Sequence, residues 1–377
     1  MTGGRILRGK TIVLAVTGSI AAVETVRLAH ELRRRGAAVT AVMTDAACGI
    51  VHPDALTYAT GREAITRITG LVEHVLFCGE GGEADLLLVA PCTANTIGKI
   101  AAGIDDTTVT TFATTALGRG MPVVVVPAMH ESMYRHPGVA ANLERLQGWG
   151  VDVVPPRIEE EKAKIAGIEE IVLYAERALS GRPLAGKKVV ITSGPCAEAV
   201  DDVRVLTTRS TGQMGRALAL EGFRLGAEVV VIHRDLFPCV ANVHAETGGE
   251  MMEAALREAA DADIYISAAA ISDFAPEQIE GKIPSGAPLS IELRPLPKVI
   301  DAVRAASGAR LVAFKLGWDE ERRAAEMLAS GVSMVVMNAP PAMGAESGEF
   351  EIMTERGRER INGSKGEVAA AIWSALL

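Results

Sequence analysis

The sequence predicts an α/β protein built from two sequential Rossmann-like, doubly wound domains. Short apolar runs without polar alternation are typical of strands covered on both faces of a parallel sheet, and here they alternate with stretches whose apolar residues have helical spacing. The pattern also starts twice: GKTIVLAVTGS near the amino terminus and GKKVVITSGP at 186–195 each combine a Gly-Lys pair, an apolar strand and a glycine-containing turn. Two consecutive α/β domains explain both observations.

The elements follow from these runs in chain order. The predicted strands are Thr11–Val16, Ala37–Met43, Asp85–Ala90, Pro122–Val126, Lys188–Thr192, Ala227–Ile232, Asp263–Ser267, Arg310–Phe314 and Val332–Met337. Helical spacing marks Ile20–Arg35, Gly212–Leu225 and, after the charged run Glu159–Lys164, the predicted helix Ile168–Leu179. The connector GRPLAG spans residues 181–186, and we place the domain boundary within it, near residue 183. We therefore expect domains at 1–183 and 184–377.

Composition limits the class of protein. A length of 377 residues suggests two or three domains, and a hydrophobic content of 49% is too high for a disordered chain. A net charge of −9 without a Lys/Arg block argues against nucleic acid and anionic membranes as partners. The apolar segment 11–23 is interrupted by Thr17, Gly18 and Ser19 and is shorter than the roughly 18 to 20 apolar residues of a membrane span, so a strand, turn and helix start is the better interpretation.

The cysteines indicate a reducing compartment. Cys48, Cys78, Cys92, Cys196 and Cys239 are odd in number, widely spaced and form no CxxC pair. This pattern argues against a disulfide framework or a structural zinc site. We therefore expect a cytoplasmic protein.

The first candidate site is the turn Val16–Ile20, where a strand ends and a helix begins. Free N–H groups and the helix dipole bind an anion at such a turn, and Gly18 allows close backbone approach, although a simple capped helix start has the same pattern. Neither half of the chain contains GxGxxG, and VTGSIA and TSGPCA both fail the pattern of a nicotinamide dehydrogenase.

Two later strands also deliver polar residues at their carboxyl ends, where open α/β sheets bind ligands. ADLLLVAP is followed by CTANT at 92–96, and PVVVVP by AMHESMY at 128–134. His130 and His136 are six residues apart, not the four of a HExxH zinc site. His74, in LVEHVLF, is a lone histidine on an apolar stretch, which is more often a structural residue than a catalytic one.

Several motifs together carry a family resemblance. VTGSIAA, EHVLF, PCTANTIGKIAAGIDDTTVTT and PAMHESM resemble the flavin-containing cysteine decarboxylases. Gly186–Leu377 resembles phosphopantothenate–cysteine ligase in SGPCAEAVDDVR, STGQMGRALA, AAAISDFAP, EGKIP, VAFK, VVMNAP and SKGEVAAAIW. The whole chain thus resembles the bifunctional coenzyme A biosynthesis family, a phosphopantothenoylcysteine decarboxylase fused to the ligase, and its archaeal branch in particular.

The resemblance implies an FMN cofactor in the first half. Its phosphate would lie on Gly18, Ser19 and Ile20, with further flavin contacts from Thr44, Thr93, Asn95 and Thr96. The implied reaction oxidises the cysteine thiol to a thioaldehyde, releases the carboxylate as CO₂ and returns the electrons to the enethiol. His74 takes the general-base position, which suits the ordinary pKa of histidine.

The first half departs from the family pattern in two places. His130 stands where the more widespread PAMN motif has the Asn that holds the substrate carboxylate, between the implied substrate contacts Met129 and Met133. The loop Val154–Lys162 lacks the cysteine that protonates the enethiol in bacterial relatives. His130, Cys92 and a bound water are the alternatives for this acid.

In the second half, the resemblance implies activation of the phosphopantothenate carboxylate by a nucleoside triphosphate with magnesium (Mg2+). CTP is the nucleotide of the bacterial relatives and ATP is the alternative; the acyl-nucleotide then reacts with cysteine. Lys282 would hold phosphates or the activated carboxylate. The other implied nucleotide contacts are Ser267, Ala268, Ala269, Asp273, Pro297, Lys298, Val299, Ile300 and Phe314. Without the resemblance, Asp273 and Lys282 are more often structural.

The second half departs further. Thr208 replaces the Asn that handles the acyl intermediate, and Gln213 replaces a Lys. The two phosphate-side Lys positions fall near Glu326 and Ser330, which leaves four other residues as sources of positive charge: Arg209, Lys315, Arg322 and Arg323. Two hypotheses follow: a bifunctional enzyme, favoured by Asp273, Lys282, Phe314 and Asn338, or a flavin decarboxylase with an inactive ligase-like domain for binding or assembly.

The resemblance also implies a homo-oligomer. In the family, the flavin site lies between the subunits of a trimer and the ligase domains pair, which together give a dodecamer. No protein ligand for Mg2+ can be named from the sequence.

Overall fold

The chain forms two compact units that divide between Arg182 and Pro183. The computed structural model describes residues 6–159, 162–286, 288–318 and 320–377. Glu160 and Glu161, in the loop that lacks the family cysteine, lie outside the described residues. None of the helices among the described residues is long and apolar enough to cross a membrane.

The first unit is organised on a parallel five-stranded sheet in the order β2-β1-β3-β4-β6. Its strands are β1 Thr11–Val16, β2 Ala38–Met43, β3 Leu86–Cys92, β4 Val123–Pro127, β5 Met129–His130, β6 Asp152–Val153, β7 Arg157–Glu159 and β8 Lys162–Lys164. Its helices are α1 Thr25–Arg34, α2 Asp45–Cys48, α3 Pro53–Thr60, α4 Glu73–Cys78, α5 Ala94–Ala102, α6 Thr108–Arg119, α7 Glu131–Tyr134, α8 Pro137–Gly148 and α9 Ile168–Leu179.

The apolar strands have a direct physical cause. Successive side chains of a strand point to opposite faces of the sheet. In β1, Leu14 faces a core that includes residues of α1 and α9, whereas Val13 faces a second core that includes residues of α5 and α6. Both faces of this strand are therefore buried, which is why the sequence has no polar alternation there.

The second unit is organised on an eight-stranded sheet in the order β13-β12-β9-β14-β17-β18-β19-β20. Its strands are β9 Lys188–Thr192, β10 Ala197–Ala199, β11 Val205–Thr207, β12 Glu228–His233, β13 Ala241–His244, β14 Ile264–Ser267, β15 Phe274–Pro276, β16 Leu293–Pro295, β17 Arg310–Leu316, β18 Met334–Asn338, β19 Ser347–Thr354 and β20 Gly357–Ser364. Its helices are α10 Gln213–Arg224, α11 Gly248–Ala259, α12 Val299–Ala306, α13 Glu321–Ala329 and α14 Lys365–Leu376.

The predicted fold class, two sequential α/β units with parallel sheets, is confirmed. The strands from β13 to β18 in this order are parallel, and β19 and β20 extend the sheet in the antiparallel direction. The prediction did not include β19 and β20, because charged residues such as those of GRERINGS interrupt any apolar run. Three smaller antiparallel sheets, β10-β11, β15-β16 and β5-β8-β7, were also not predicted.

Candidate functional site

A cleft of about 1290 Å³ opens at the carboxyl ends of the central strands of the first unit. It is lined by loops that follow β1, β2, β3 and β4. Apart from His74, every residue of this unit that the sequence predicted to bind flavin or substrate lines it: Gly18, Ser19, Ile20, Thr44, Thr93, Asn95, Thr96, Met129, His130 and Met133. The fold thus brings together residues that are more than 100 positions apart in the chain.

Four hydroxyl side chains cap helical segments at the cleft. Ser19 caps the 3-10 turn Ile20–Glu24, and Thr44, Thr93 and Thr107 cap the helices that begin one residue later. Each hydroxyl oxygen accepts a backbone hydrogen bond, from Ala21 N–H at 3.4 Å, Ala47 N–H at 3.2 Å, Thr96 N–H at 3.3 Å and Thr110 N–H at 3.1 Å. Because the amino-terminal end of a helix carries partial positive charge, these ends favour an anionic ligand in the cleft.

The turn after β1 is packed tightly against α2. A Cβ atom at Gly18 would lie 2.5 Å from the Ala46 Cβ. The preceding Thr17 is buried; its hydroxyl donates to Pro91 O at 2.8 Å and accepts from Thr93 N–H at 3.0 Å. These bonds hold the turns after β1 and β3 side by side, so that both contribute backbone to one wall of the cleft.

The cleft is also lined by basic residues that the sequence motifs did not indicate as ligands. Strand β5 pairs with β8, with Met129 opposite Ala163 and His130 opposite Lys162, and β8 pairs in turn with β7. Arg157 and Lys164 of this hairpin line the cleft, as does Arg67. The only signal in the sequence was the charge of these residues, because a two-residue strand such as β5 has no pattern of its own.

His74 is not among the residues that line the cleft. It lies in α4, with its ring edge-on to Phe112 at a centroid distance of 6.5 Å. Its Nδ1 atom is buried and has no hydrogen-bond partner among the described residues. The neighbouring Glu73 carboxylate accepts bonds from the hydroxyl and N–H of Thr69, which lower the pKa of Glu73. A buried nitrogen without a partner calls for a ligand, a water or a proton-transfer role.

Cys92 does not reach the cleft. Its side chain is fully buried at the end of β3, and it is absent from the lining residues. Burial raises the pKa of its thiol well above the ordinary value. Of the two side chains considered as acids for the enethiol, the structure therefore brings only His130 to the cleft.

In the second unit, one group of the predicted nucleotide residues lies at or near the carboxyl ends of two neighbouring strands, β14 and β17. Ser267 ends β14 and lies between Thr192 of β9 and Ala313 of β17, and the next residue, Ala268, donates its N–H to Thr192 O at 3.1 Å. Phe314 is adjacent in β17, and Ala269 continues the segment after β14. The carboxyl edge of this sheet thus gathers the Ser267–Ala269 segment and Phe314.

A second group of predicted residues surrounds the start of α12. Lys298 is the N-cap of this helix but makes no side-chain capping bond, and Pro297 precedes it. Val299 and Ile300 form its first turn. The carbonyl of the exposed Asp273 accepts a bond from Leu296 N–H at 2.8 Å, which brings Asp273 beside this group.

The hydroxyl of Thr208 is already engaged. It donates to Ala270 O at 3.3 Å, immediately after the Ser267–Ala269 segment. Gln213 is the first residue of α10, after Gly212 in the left-handed conformation with φ 72°. The exposed Lys282 lies in a loop whose neighbouring residues bind the turn between β10 and β11.

Two of the proposed alternative cations are already paired with carboxylates. The exposed Arg322 pairs with Glu326 at 3.4 Å, and the exposed Arg323 pairs with Glu320, the N-cap of α13, at 2.9 Å. Lys315 follows Phe314 in β17. No group of three His, Cys, Asp or Glu side chains within the described ranges is arranged to hold a metal ion.

Comparison with known proteins covers both units. Residues 3–180 match the family described as Flavoprotein, and residues 184–377 match the family described as DNA/pantothenate metabolism flavoprotein C-terminal domain. The coenzyme A biosynthesis bifunctional protein CoaBC of Thermococcus kodakarensis is 44% identical, and the alignment covers 100% of this chain and 96% of that protein. The protein of the same name from Methanocaldococcus jannaschii is 37% identical, with coverage of 98% and 94%.

Among solved structures, the C-terminal domain of a coenzyme A biosynthesis bifunctional protein CoaBC is 27% identical. The structural alignment covers 52% of this chain and 96% of that domain, with a TM-score of 0.44.

Proposed function

Because this chain belongs to the bifunctional coenzyme A biosynthesis family CoaBC, we propose that it converts 4'-phosphopantothenate and cysteine to 4'-phosphopantetheine in two steps. The second unit ligates phosphopantothenate to cysteine with a nucleoside triphosphate. The first unit then decarboxylates the phosphopantothenoylcysteine with FMN. The observation that carries this proposal is the gathering of flavin and substrate residues in one cleft of the first unit.

The cleft fits a flavin mononucleotide. Its volume of about 1290 Å³ exceeds that of a typical small-molecule pocket, so a cofactor and a substrate can occupy it together. The capped helical segments suit a phosphate, which Gly18, Ser19 and Ile20 would hold. Thr44, Thr93, Asn95 and Thr96 would contact the rest of the cofactor. FMN supplies a two-electron acceptor and donor, which makes the loss of CO₂ feasible.

The protein's own residues bind the substrate and move protons. His130, with Arg67, Arg157 and Lys164 in the same cleft, supplies hydrogen-bond donors and positive charge for the substrate's carboxylate and phosphate. Met129 and Met133 supply apolar contacts. His74 acts as the general base; its buried Nδ1, which has no hydrogen-bond partner among the described residues, supports a role in proton transfer.

The ligase reaction needs activation because a carboxylate oxygen is a poor leaving group. We assign the nucleotide to the carboxyl edge of β14 and β17, with Ser267, Ala268, Ala269 and Asp273 against the base. Phe314 and the start of α12, Pro297–Ile300, would line the rest of the site. CTP is the expected nucleotide, and the acyl-nucleotide is the expected intermediate. Mg2+ would arrive with the triphosphate.

One observation favours the alternative, an inactive ligase-like domain. The Thr208 hydroxyl donates to the Ala270 carbonyl, so the same proton is not available to an oxyanion of the acyl intermediate. The asparagine of the family has two amide protons and could serve both partners. Under this alternative, the second unit binds ligand or assembles the protein without catalysis.

Pyrophosphate release distinguishes the two functions. Purified protein is incubated with 4'-phosphopantothenate, cysteine and Mg2+, with CTP and ATP in separate reactions. Release that depends on phosphopantothenate supports the ligase and identifies its nucleotide. If neither nucleotide releases pyrophosphate, while the same preparation decarboxylates phosphopantothenoylcysteine, the result supports an inactive ligase-like domain.

We further propose a cytoplasmic homo-oligomer, a trimer or a dodecamer, which acts on small molecules and binds neither nucleic acid nor membrane. The acidic net charge of −9 supports the last point. A monomer at micromolar concentration in analytical ultracentrifugation would contradict the oligomer.

A further inference from the structure

The loop that carries Lys282 is attached on both sides of this residue to the turn between β10 and β11. The turn spans residues 200–204 and is closed by a bond from Val200 N–H to Arg204 O at 2.8 Å. Ile279 N–H donates to Val200 O at 3.0 Å, where the loop first meets the turn. Beyond this point, the N–H and carbonyl groups of the two residues that flank Lys282 all bind the turn.

Asp201 holds the residue after Lys282. Its carboxylate is buried, with 2% of the residue exposed. Oδ1 accepts from Val203 N–H at 2.9 Å and Arg204 N–H at 2.6 Å, and Oδ2 accepts from Ile283 N–H at 3.0 Å and from the Arg204 guanidinium. The guanidinium also donates to Ile283 O at 3.4 Å. Both oxygens of Asp201 therefore face donors only.

Asp202 holds the residue before Lys282. Its Oδ2 accepts from Gly281 N–H at 3.1 Å, and its own N–H donates to Gly281 O at 3.2 Å. Gly281 has φ 77°, in the left-handed region that favours glycine, so the loop turns at this residue. The carboxylate of Asp202 thus binds the loop through one oxygen, whereas both oxygens of Asp201 accept hydrogen bonds, Oδ2 from the loop and Oδ1 from the turn.

The carboxylate of Asp201 is ionised at working pH. Burial opposes its ionisation, but the hydrogen bonds from Ile283, Val203 and Arg204 outweigh it and lower the pKa to about 2. Since this pKa is below the value of about 3.9 in an unfolded chain, the stabilisation is complete above about pH 4 and is lost as the pH falls towards 2.

We propose that Asp201 and Asp202 are positioning residues of the ligase reaction, which clamp Gly281 and Ile283 and thereby fix the backbone from which Lys282 reaches the nucleotide or activated carboxylate. The proposal rests on the role of Lys282 in the proposed function. A side chain with four rotatable carbons binds a ligand at lower entropic cost when its backbone is already ordered. Neither aspartate needs to touch the substrate.

The different use of oxygens predicts different effects of isosteric changes. Asp201→Asn places an NH₂ group against donors that both oxygens now accept, so it should open the clamp. Asp202→Asn can turn its remaining oxygen towards Gly281 N–H and should behave like the wild type, whereas Asp202→Ala should open the clamp on one side. Asp261→Asn, in an exposed pair with Lys188, is the matched control.

Limited trypsin digestion of the full-length protein tests the clamp without any ligase activity. The bond after Lys282 is held on both sides in the wild type and should be cut slowly, to fragments 1–282 and 283–377. We expect Asp201→Asn to accelerate this cut about tenfold or more, since cleavage of a folded chain follows local opening. Unchanged cleavage at Lys282 in Asp201→Asn, with fragments identified by mass, would overturn the clamp.

Ligase kinetics test the positioning role. Asp201→Asn should lower kcat for pyrophosphate release about 10- to 100-fold, the scale expected for a misplaced catalytic group. Asp202→Ala should also lower kcat, whereas Asp202→Asn should keep the wild-type value. In a Lys282→Ala background, Asp201→Asn should cause no further loss, because the clamp acts through Lys282. A full additional loss in that background would refute positioning and indicate a general folding defect.

Failure of the clamp and failure of the proposed function give different results. If the wild type releases no pyrophosphate while Asp201→Asn still exposes Lys282 to trypsin, the clamp stands and the ligase assignment falls. If the wild type is active and Asp201→Asn has wild-type kcat, the positioning role is wrong.

Discussion

At the scale of single residues, Gly18 sets how closely the first unit can approach a ligand. Its Cα packs against α2, where an added Cβ would lie 2.5 Å from the Ala46 Cβ. Relief of this clash requires the turn after β1 to move, and the same turn lines the cleft beside the caps that we assign to the phosphate. Gly118, on α6, offers a contrast, because a Cβ there would meet nothing within 4 Å.

Gly18→Ala should therefore weaken FMN binding. Overpacking costs about 1–3 kcal/mol, which corresponds to about a tenfold or greater increase in the dissociation constant for FMN. Titration of the apoprotein with FMN, followed by flavin fluorescence, measures the change. Gly118→Ala is the control and should bind FMN as the wild type does. Equal affinity in both variants would show that the turn does not hold the cofactor.

His74→Asn should abolish decarboxylation while FMN remains bound. The amide keeps a polar side chain in α4 but cannot accept a proton, so we expect at least about a 100-fold loss of CO₂ release from phosphopantothenoylcysteine. The flavin absorbance of the purified variant checks that the cofactor site is intact. Turnover at the wild-type rate would remove His74 from the mechanism.

Individual residues also show what the sequence could and could not predict. The positions of Thr93, Asn95 and Thr96 could be predicted because these residues follow a clearly apolar strand. A residue that follows such a strand lies at the carboxyl edge of the sheet. Arg157 and Lys164 were not, because their place in the cleft depends on the pairing of β5 with β8. The separation of His74 from the lining residues was likewise not visible in a linear motif.

At the scale of elements, α14 completes the second unit by packing on α10. The side chain of Trp373 is fully buried, its Nε1 donates to Leu218 O at 3.0 Å, and its ring occupies the space beside Gly222, where a Cβ would lie 2.9 Å from Cζ2. The helix begins with a capping box formed by Ser364 and Glu367. Such a helix is predictable from its cap, but its partner is not.

Trp373→Ala should destabilise the second unit selectively. Removal of a fully buried Trp typically lowers the free energy of unfolding by about 3–5 kcal/mol. In urea, the second unit of this variant should unfold at a lower concentration than it does in the wild type, while the flavin absorbance of the first unit persists. Trp318→Ala is the control, since that side chain is 69% exposed. Loss of flavin together with the ligase transition would show that the two units do not unfold separately.

At the scale of the whole molecule, each unit has its own core. Leu14 and Val13 of β1 anchor the two cores of the first unit, and Val190 and Tyr265 lie in a core of the second. The apolar runs of the sequence were enough to predict two α/β units. They were not enough to predict β19, where the buried Phe350 and Ile352 alternate with Glu349 and Glu351, or β20, which is mostly exposed and charged.

Separation of the chain after Arg182 should yield two folded proteins. Residues 1–182 should bind FMN and decarboxylate phosphopantothenoylcysteine, and residues 183–377 should retain any ligase activity of the full chain, because each has a complete core. Circular dichroism melts and the two separate assays check this expectation. A fragment that is unfolded when expressed alone would contradict it.

The most direct test of the bifunctional assignment follows both products in one reaction. Full-length protein is supplied with 4'-phosphopantothenate, cysteine, Mg2+ and either CTP or ATP, and pyrophosphate and 4'-phosphopantetheine are quantified together. We predict that both form in equal amounts with at least one nucleotide. If neither forms with either nucleotide, while phosphopantothenoylcysteine added directly is decarboxylated, the second unit is not a ligase and the bifunctional assignment is wrong.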